Sequence, residues 1–213
     1  MSVRAVLFDF NGTLSQDEAL WAEVYRDVFA AHGRPITAAE YGVELAGLSD
    51  EDAVRRWFGS EEDVTRTIVA ETVARFVDAV HDEPTVDADA VAAVAAAGHE
   101  VPVGIVTTAT HEVLDPMLAA SGLDALVRFT VTADDVRRTK PDPAAYLRAL
   151  AHLGGVDAAD VLVFEDTPIG VAAATAAGMR CVGVLGTVPA DRLEGAEAVV
   201  ARLDAACVRR FLR

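Results

Sequence analysis

Four apolar runs of the chain end on residues able to do chemistry. VRAVLF at residues 3–8 leads into Asp9-Phe10-Asn11-Gly12-Thr13, and VPVGIV at 101–106 leads into Thr107-Thr108. FTVTA at 129–133 opens a loop that reaches Lys140, and VLVF at 161–164 leads into Glu165-Asp166. A carboxylate at the end of an apolar strand serves as a nucleophile or as a ligand for a hard cation, and two carboxylate clusters completed by water suit octahedral magnesium. A threonine hydroxyl and an ammonium beside them would bind phosphoryl oxygens and offset their charge. Taken singly, each has a plainer reading: Asp9 as a turn residue or helix cap, Thr107 as a strand-end hydroxyl, Asp166 as the cap of the next helix. Their joint placement makes the chemical reading the stronger one. Lys140 carries a further signal, because it is the only lysine among the 18 basic residues, the other 17 being arginine. A chain that uses guanidinium almost everywhere keeps one ammonium where a planar fork would not serve.

These residues need elements to hold them. The run at 3–8 stops at Asp9 with Asn-Gly close behind, which reads as a buried strand entering a tight turn. Ser15 with Glu18 has capping-box spacing and predicts a helix from there to His32-Gly33, with apolar positions Leu20, Val24, Tyr25, Val28 and Phe29. Further helix starts at Thr37 to Glu40 and Ser49 to Asp52 make the stretch to about residue 82 helical throughout. From Pro84 onward, helices alternate with apolar runs at 101–106, 129–133, 161–164 and 181–185, the pattern of parallel strands with right-handed crossovers. The first strand has nothing to pair with unless it joins that sheet. The expected architecture is therefore a doubly wound parallel α/β sheet with a helical cap inserted after the first strand: core at 1–15 and 84–213, cap at 16–83. In such sheets ligands bind beyond the carboxyl ends of the strands, where the chemical residues fall.

Composition narrows the function. With 18 basic and 34 acidic residues the chain carries a formal charge of −16, which disfavours a nucleic-acid partner. No apolar run reaches the ~20 residues that span a bilayer, and the N-terminus lacks a signal-peptide cleavage pattern, so a cytoplasmic protein with no membrane partner is expected. Cys181 and Cys207 are too few for a disulfide framework or zinc site and read as buried small hydrophobes. The five histidines show no ligand spacing and read as solvated, His111 being the one near a candidate site.

The motifs resemble those of the haloacid dehalogenase superfamily over nearly the whole chain. DFNGTL is similar to its first motif, IVTT to its second, KPDPAAY to its third and VFEDTPIGVAAATAAGM to its fourth, and the helical insertion is similar to the cap of the β-phosphoglucomutase-like subgroup. The resemblance implies a phosphatase in which Asp9 forms an aspartyl-phosphate while Thr107 and Lys140 hold the phosphoryl group. It also implies Mg2+ on Asp9, the backbone carbonyl of Asn11 and Asp166, with Glu165 nearby. Thr108, and the cap residues Trp21 and Gly47, are candidates for substrate contact, although Trp21 also reads as core and Gly47 as a helix-joining turn. The expected partner is a small phosphorylated substrate, and the expected assembly a monomer or weak homodimer.

One position departs from the family. An aspartate two residues after the nucleophile usually protonates the leaving group, and here it is Asn11. An amide cannot trade protons near neutral pH, and losing one general acid/base costs about 10²–10⁴ in rate. Three readings are open: an attenuated enzyme, with Asp17, Glu18 or Glu51 standing in; a protein that binds phosphorylated ligands without turnover; or an engineered exchange. A Schiff-base phosphonatase is excluded because 16–82 contains no lysine. A sugar-phosphate mutase is disfavoured because Asp50 falls where a cap cation would hold a second phosphate. A dehalogenase, which needs no metal, sits poorly with the Glu165-Asp166 pair.

Overall fold

The computed structural model describes residues 2–82 and 85–213. Strand β1 (Ala5–Phe8) is followed by four helices, α1 (Glu18–Ala31), α2 (Ala38–Glu44), α3 (Asp50–Phe58) and α4 (Glu62–Asp82). The alternating part comprises α5 (Ala88–Gly98), β2 (Val103–Val106), α6 (His111–Ser121), β3 (Phe129–Val131), α7 (Ala144–Leu153), β4 (Val161–Glu165), α8 (Pro168–Ala176), β5 (Arg180–Val184), β6 (Ala198–Val200) and α9 (Ala205–Leu212). All strand pairings are parallel, in the order β3-β2-β1-β4-β5-β6. The expected doubly wound α/β sheet with a helical insertion after β1 is therefore the observed fold.

The chain moves outward from β1 to β2 and β3, then returns to place β4 on the other side of β1. That reversal makes a crevice at the carboxyl ends of β1 and β4. Register sharpens it: Phe8 stands level with Ile105 of β2 and Phe164 of β4, so the residues after each strand emerge at one edge. Alternation along β1 splits the core in two. Val6 and Phe8 join an apolar cluster with α5, α6 and α9, whereas Ala5 and Leu7 join one with α7 and α8.

The first of these clusters continues through Phe10 and Leu14 into α1–α4, where aromatic side chains do most of the filling. Trp21 stacks on Phe76 at 3.6 Å between ring centroids, and Phe29 meets Phe58 edge-on at 4.8 Å. Two helix starts fall where their sequences place them: Thr37 and Glu40 form a capping box on α2, and Ser49 accepts from the Asp52 N–H on α3.

One expectation fails, two elements are additions, and the plainer reading of Asp166 is set aside. The Ser15–Glu18 capping box does not form; α1 begins at Glu18, and Asp17 precedes it without a side-chain cap. Ser15 is drawn instead to Asp17 and Thr85 by hydrogen bonds of 2.7 and 2.6 Å, and its backbone bridges Val86. The two chain segments joining helices to sheet are thus tied together, although the expected boundary at 83/84 lies outside the described residues. Second, β6 and α9 have no counterpart in the sequence reading. Third, Asp166 does not cap α8, because Thr167 takes that role by accepting from the Gly170 N–H.

Close packing leaves little tolerance where strands meet side chains. A Cβ on Gly104 in β2 would stand 2.6 Å from the Phe129 ring and 3.1 Å from Leu7. Gly104→Ala should lower stability by about 1–3 kcal/mol, seen as a lower urea midpoint at unchanged m.

Candidate active site

Asp9 ends β1, Thr107 and Thr108 follow β2, Lys140 lies in the loop before α7, and Glu165 and Asp166 close β4. The Lys140 ammonium is their meeting point. It donates to Asp9 Oδ1 at 2.5 Å, Glu165 Oε1 at 2.5 Å and the Val106 carbonyl at 2.9 Å, using all three of its protons. Lys140 is only 3% exposed, at the floor of a small cavity. Burial works against its charge, yet Asp9 and Glu165 prevail and raise its pKa.

Glu165 is fully buried. One oxygen accepts from Lys140 and from the Tyr146 hydroxyl at 2.7 Å, and the other from the Asp166 N–H at 3.2 Å and Thr167 at 3.3 Å. A Cβ on Gly170 would lie 2.0 Å from this carboxylate, so α8 approaches it that closely only because residue 170 is glycine. Asp166 accepts from the Thr13 hydroxyl at 2.9 Å and from Thr187. Neither threonine hydroxyl was singled out in the sequence, although both follow apolar runs of the same sheet and were legible on that ground.

Ligand oxygens of Asp9, Glu165 and Asp166 lie within 4.8 Å of one another, and all three residues are buried. One ammonium among three carboxylates leaves negative charge in excess. Desolvation, then the Glu165 charge, raises the Asp9 pKa well above normal and pushes that of Asp166 up to about 7. A divalent hard cation would relieve this crowding, and the donor set of carboxylates and carbonyl suits magnesium. The turn at Gly12, φ +76, leaves an opening beside this cluster: a Cβ there would fall 2.0 Å from an Asp166 oxygen. The residues present therefore fit the ion.

Asn11 faces two ways. Its amide donates to Asp17 Oδ2 at 2.7 Å and its carbonyl oxygen faces the Thr107 hydroxyl at 3.4 Å. Thr108 donates to the Gly47 carbonyl at 3.2 Å, joining the strand edge to the turn between α2 and α3. A cavity of about 40 Å³ lies under that contact, bounded by Asp9, Asn11 and Lys140 below and by Glu18, Trp21, Tyr25, Tyr41 and Asp50 above. Trp21 thus both lines the cavity and stacks in the core. His111 lies apart, its ring directed to Asp115 at 3.2 Å and Asp135 at 3.5 Å.

Residues 6–184 match the family model described as haloacid dehalogenase-like hydrolase. The chain belongs to that family. It is 31% identical to validoxylamine A 7'-phosphate phosphatase of Streptomyces hygroscopicus subsp. limoneus, over 92% of each protein. It is also 30% identical to the putative phosphatase YhcW of Bacillus subtilis, over 84% of this chain and 82% of that one. In fold it is similar to β-phosphoglucomutase from Clostridium difficile, with a TM-score of 0.85, 18% identity, and coverage of 99% and 97% of the two chains. An enzyme of the haloacid dehalogenase phosphatase type, as the motifs implied, agrees with these relatives. Among the described residues no helix is long and apolar enough to cross a membrane.

The cavity roof, with Asp17 behind Asn11, carries its own electrostatic signature. Desolvation raises the carboxyl pKa of Asp17 and Asp50 to about 6 and, with the Asp17 charge, that of Glu18 to about 7. Since the folded chain holds these protons more tightly than the unfolded one, their contribution to stability is full below the unfolded carboxylate pKa of ~4 and declines as pH rises through the folded values. Urea unfolding in chelator should show stability falling from pH 5 to pH 8, and Asp50→Asn should flatten that slope while still accepting from Tyr25.

Proposed function

We propose that the protein is a magnesium-dependent phosphohydrolase of a small phosphorylated metabolite, working through an aspartyl-phosphate on Asp9. The observation that carries this reading is the buried Asp9–Lys140–Asp166 cluster at the sheet's switch point. The Asp9 carboxylate would attack phosphorus as the bond to the leaving oxygen breaks, and water would then cleave the aspartyl-phosphate. Thr107 and Lys140 would hold the phosphoryl oxygens, the ammonium turning its Asp9 proton toward the phosphoryl group. Glu165, whose oxygens are already taken by Lys140, Tyr146, Thr167 and the Asp166 N–H, would keep Lys140 in place. Asp9, the carbonyl of Asn11 and Asp166 would hold magnesium, which when bound supplies positive charge to offset that of the phosphoryl group.

In this reading residues 16–83 act as a cap over a core of 1–15 and 84–213, and the small cavity implies that the cap swings aside to admit substrate, with the paired linkers at Ser15 and Val86 as its pivot. The leaving group would meet Trp21, the turn at Gly47, and the carboxylates and hydroxyls of the roof. Lys140 is the one cation among the described residues lining this cavity. Uncharged or cationic alcohols suit that roof, whereas a second phosphate does not, which counts against a mutase.

Calorimetry should detect magnesium binding that Asp166→Ala removes, and Asp9→Asn should abolish phosphate release from every substrate. Lys140→Arg should lower turnover about 10²-fold or more, because the larger fork cannot make the three contacts of a buried ammonium. A polyol monophosphate should exceed phosphoglycolate in kcat/KM at least about tenfold, a difference of ~1.4 kcal/mol. A protein that only binds phosphorylated ligands, the other outcome left open by Asn11, would retain phosphate esters without releasing phosphate.

A further inference from the structure

If phosphoryl transfer runs through Asp9, an alkyl leaving oxygen needs a proton that Asn11 cannot give. The structure sorts the three carboxylates of the helical segment that could supply it. Glu51 is exposed, pairs with Arg55, and does not line the cavity. Asp17 is fully buried behind Asn11, whose amide it accepts together with the Ser15 hydroxyl, and it does not line the cavity either. Glu18 does. It is the first residue of α1 and faces the same cavity as Asp9 and Asn11. Its Oε2 accepts from the Tyr41 hydroxyl at 3.2 Å, and its other oxygen has no hydrogen-bond partner among the described residues. Asp50, the remaining roof carboxylate, is committed to Tyr25 at 2.6 Å.

We propose that Glu18 is the general acid and base of this enzyme, replacing the group that Asn11 lacks. In the first step the bond from Asp9 to phosphorus forms, the ester bond breaks, and the Glu18 proton passes to the departing alkoxide. In the second, a water oxygen bonds to phosphorus, the bond to Asp9 breaks, and the water proton returns to Glu18. The sum is ester plus water giving alcohol plus phosphate, with Glu18 as it began. The surroundings of Glu18 suit both steps. Desolvation, then the charges of Asp17 and Asp9, hold its pKa at about 7 against the Tyr41 hydrogen bond, so both protonation states are accessible near neutrality. Tyr41 also fixes the carboxyl plane.

This assignment rests on the phosphohydrolase reading, and the test separates the two. Phosphate release is measured with magnesium on an alkyl phosphate, whose leaving oxygen needs the proton, and on an aryl phosphate, whose leaving oxygen does not. Glu18→Gln keeps the shape and the Tyr41 hydrogen bond. It should slow alkyl hydrolysis about 10²-fold or more and aryl hydrolysis less than about tenfold. A second variant moves the acid back: Asn11→Asp with Asp17→Asn preserves the hydrogen bond between the two positions with donor and acceptor exchanged, and it should restore alkyl hydrolysis to Glu18→Gln at least about tenfold. Equal losses on both substrates, unchanged alkyl hydrolysis, or no recovery in the exchanged pair overturns the assignment. If instead the unaltered chain releases no more phosphate from the aryl ester than Asp9→Asn does, the phosphohydrolase reading itself falls, and the role of Glu18 with it.

Discussion

Burial of one ammonium among three carboxylates is the constraint around which the molecule is arranged. An isolated charge in such surroundings costs several kcal/mol of lost hydration, and only close partners with satisfied hydrogen bonds offset it. Lys140 meets that condition with partners held by three neighbouring strands: Asp9 just after β1, the Val106 carbonyl of β2 and Glu165 of β4. The strand register must therefore hold to within a residue. A slip of β4 against β1 would turn Glu165 to the opposite face and strand the charge. The same demand reaches into the second layer, where Tyr146 must supply a hydroxyl from α7 and Gly170 must leave room for the Glu165 carboxylate.

The charges around Lys140 do not balance, and this imbalance gives the site its chemistry. A fully neutralised cluster would be a structural ion pair and little else. Here Asp166 keeps its oxygens on two hydroxyls, Thr13 and Thr187, rather than on a cation; desolvation and the Glu165 charge raise its pKa, and the two hydroxyls only partly offset them. Hydroxyl donors orient a carboxylate without cancelling its charge, which leaves it able to take a metal ion. The roof shows the same economy: Tyr25 and Tyr41 orient Asp50 and Glu18 by hydrogen bonds and bring no positive charge into the cavity.

Much of this was legible in the sequence because apolar runs ending on polar residues report both a strand and its functional edge. β1, β2 and β4, each wholly buried, were found within one or two residues of their ends. β6 was missed for the converse reason: it is an apolar run of only three residues, half-exposed at the sheet's edge and too short to stand out as a strand. The capping-box expectation at Ser15 failed through tertiary competition, since Thr85 from the returning chain and Asp17 claim the hydroxyl that a local cap would have used. Pairings between residues distant in sequence, such as Tyr41 with Glu18 or Tyr146 with Glu165, leave no periodic trace and became visible only in three dimensions.

Asn11 looks different once its neighbour is considered. Sequence motif alone marks it as a defect, a missing acid beside the nucleophile. In the fold its amide lies 2.7 Å from a fully buried carboxylate, Asp17, that also accepts from Ser15. Two carboxylates at that separation would share one proton or repel, raising each other's pKa. An amide at 11 and a carboxylate at 17 are therefore a matched donor and acceptor. This pairing also moves the negative charge from the cavity floor to a position behind it, so that the cavity has an amide beside Asp9 on one side and Glu18 on the other.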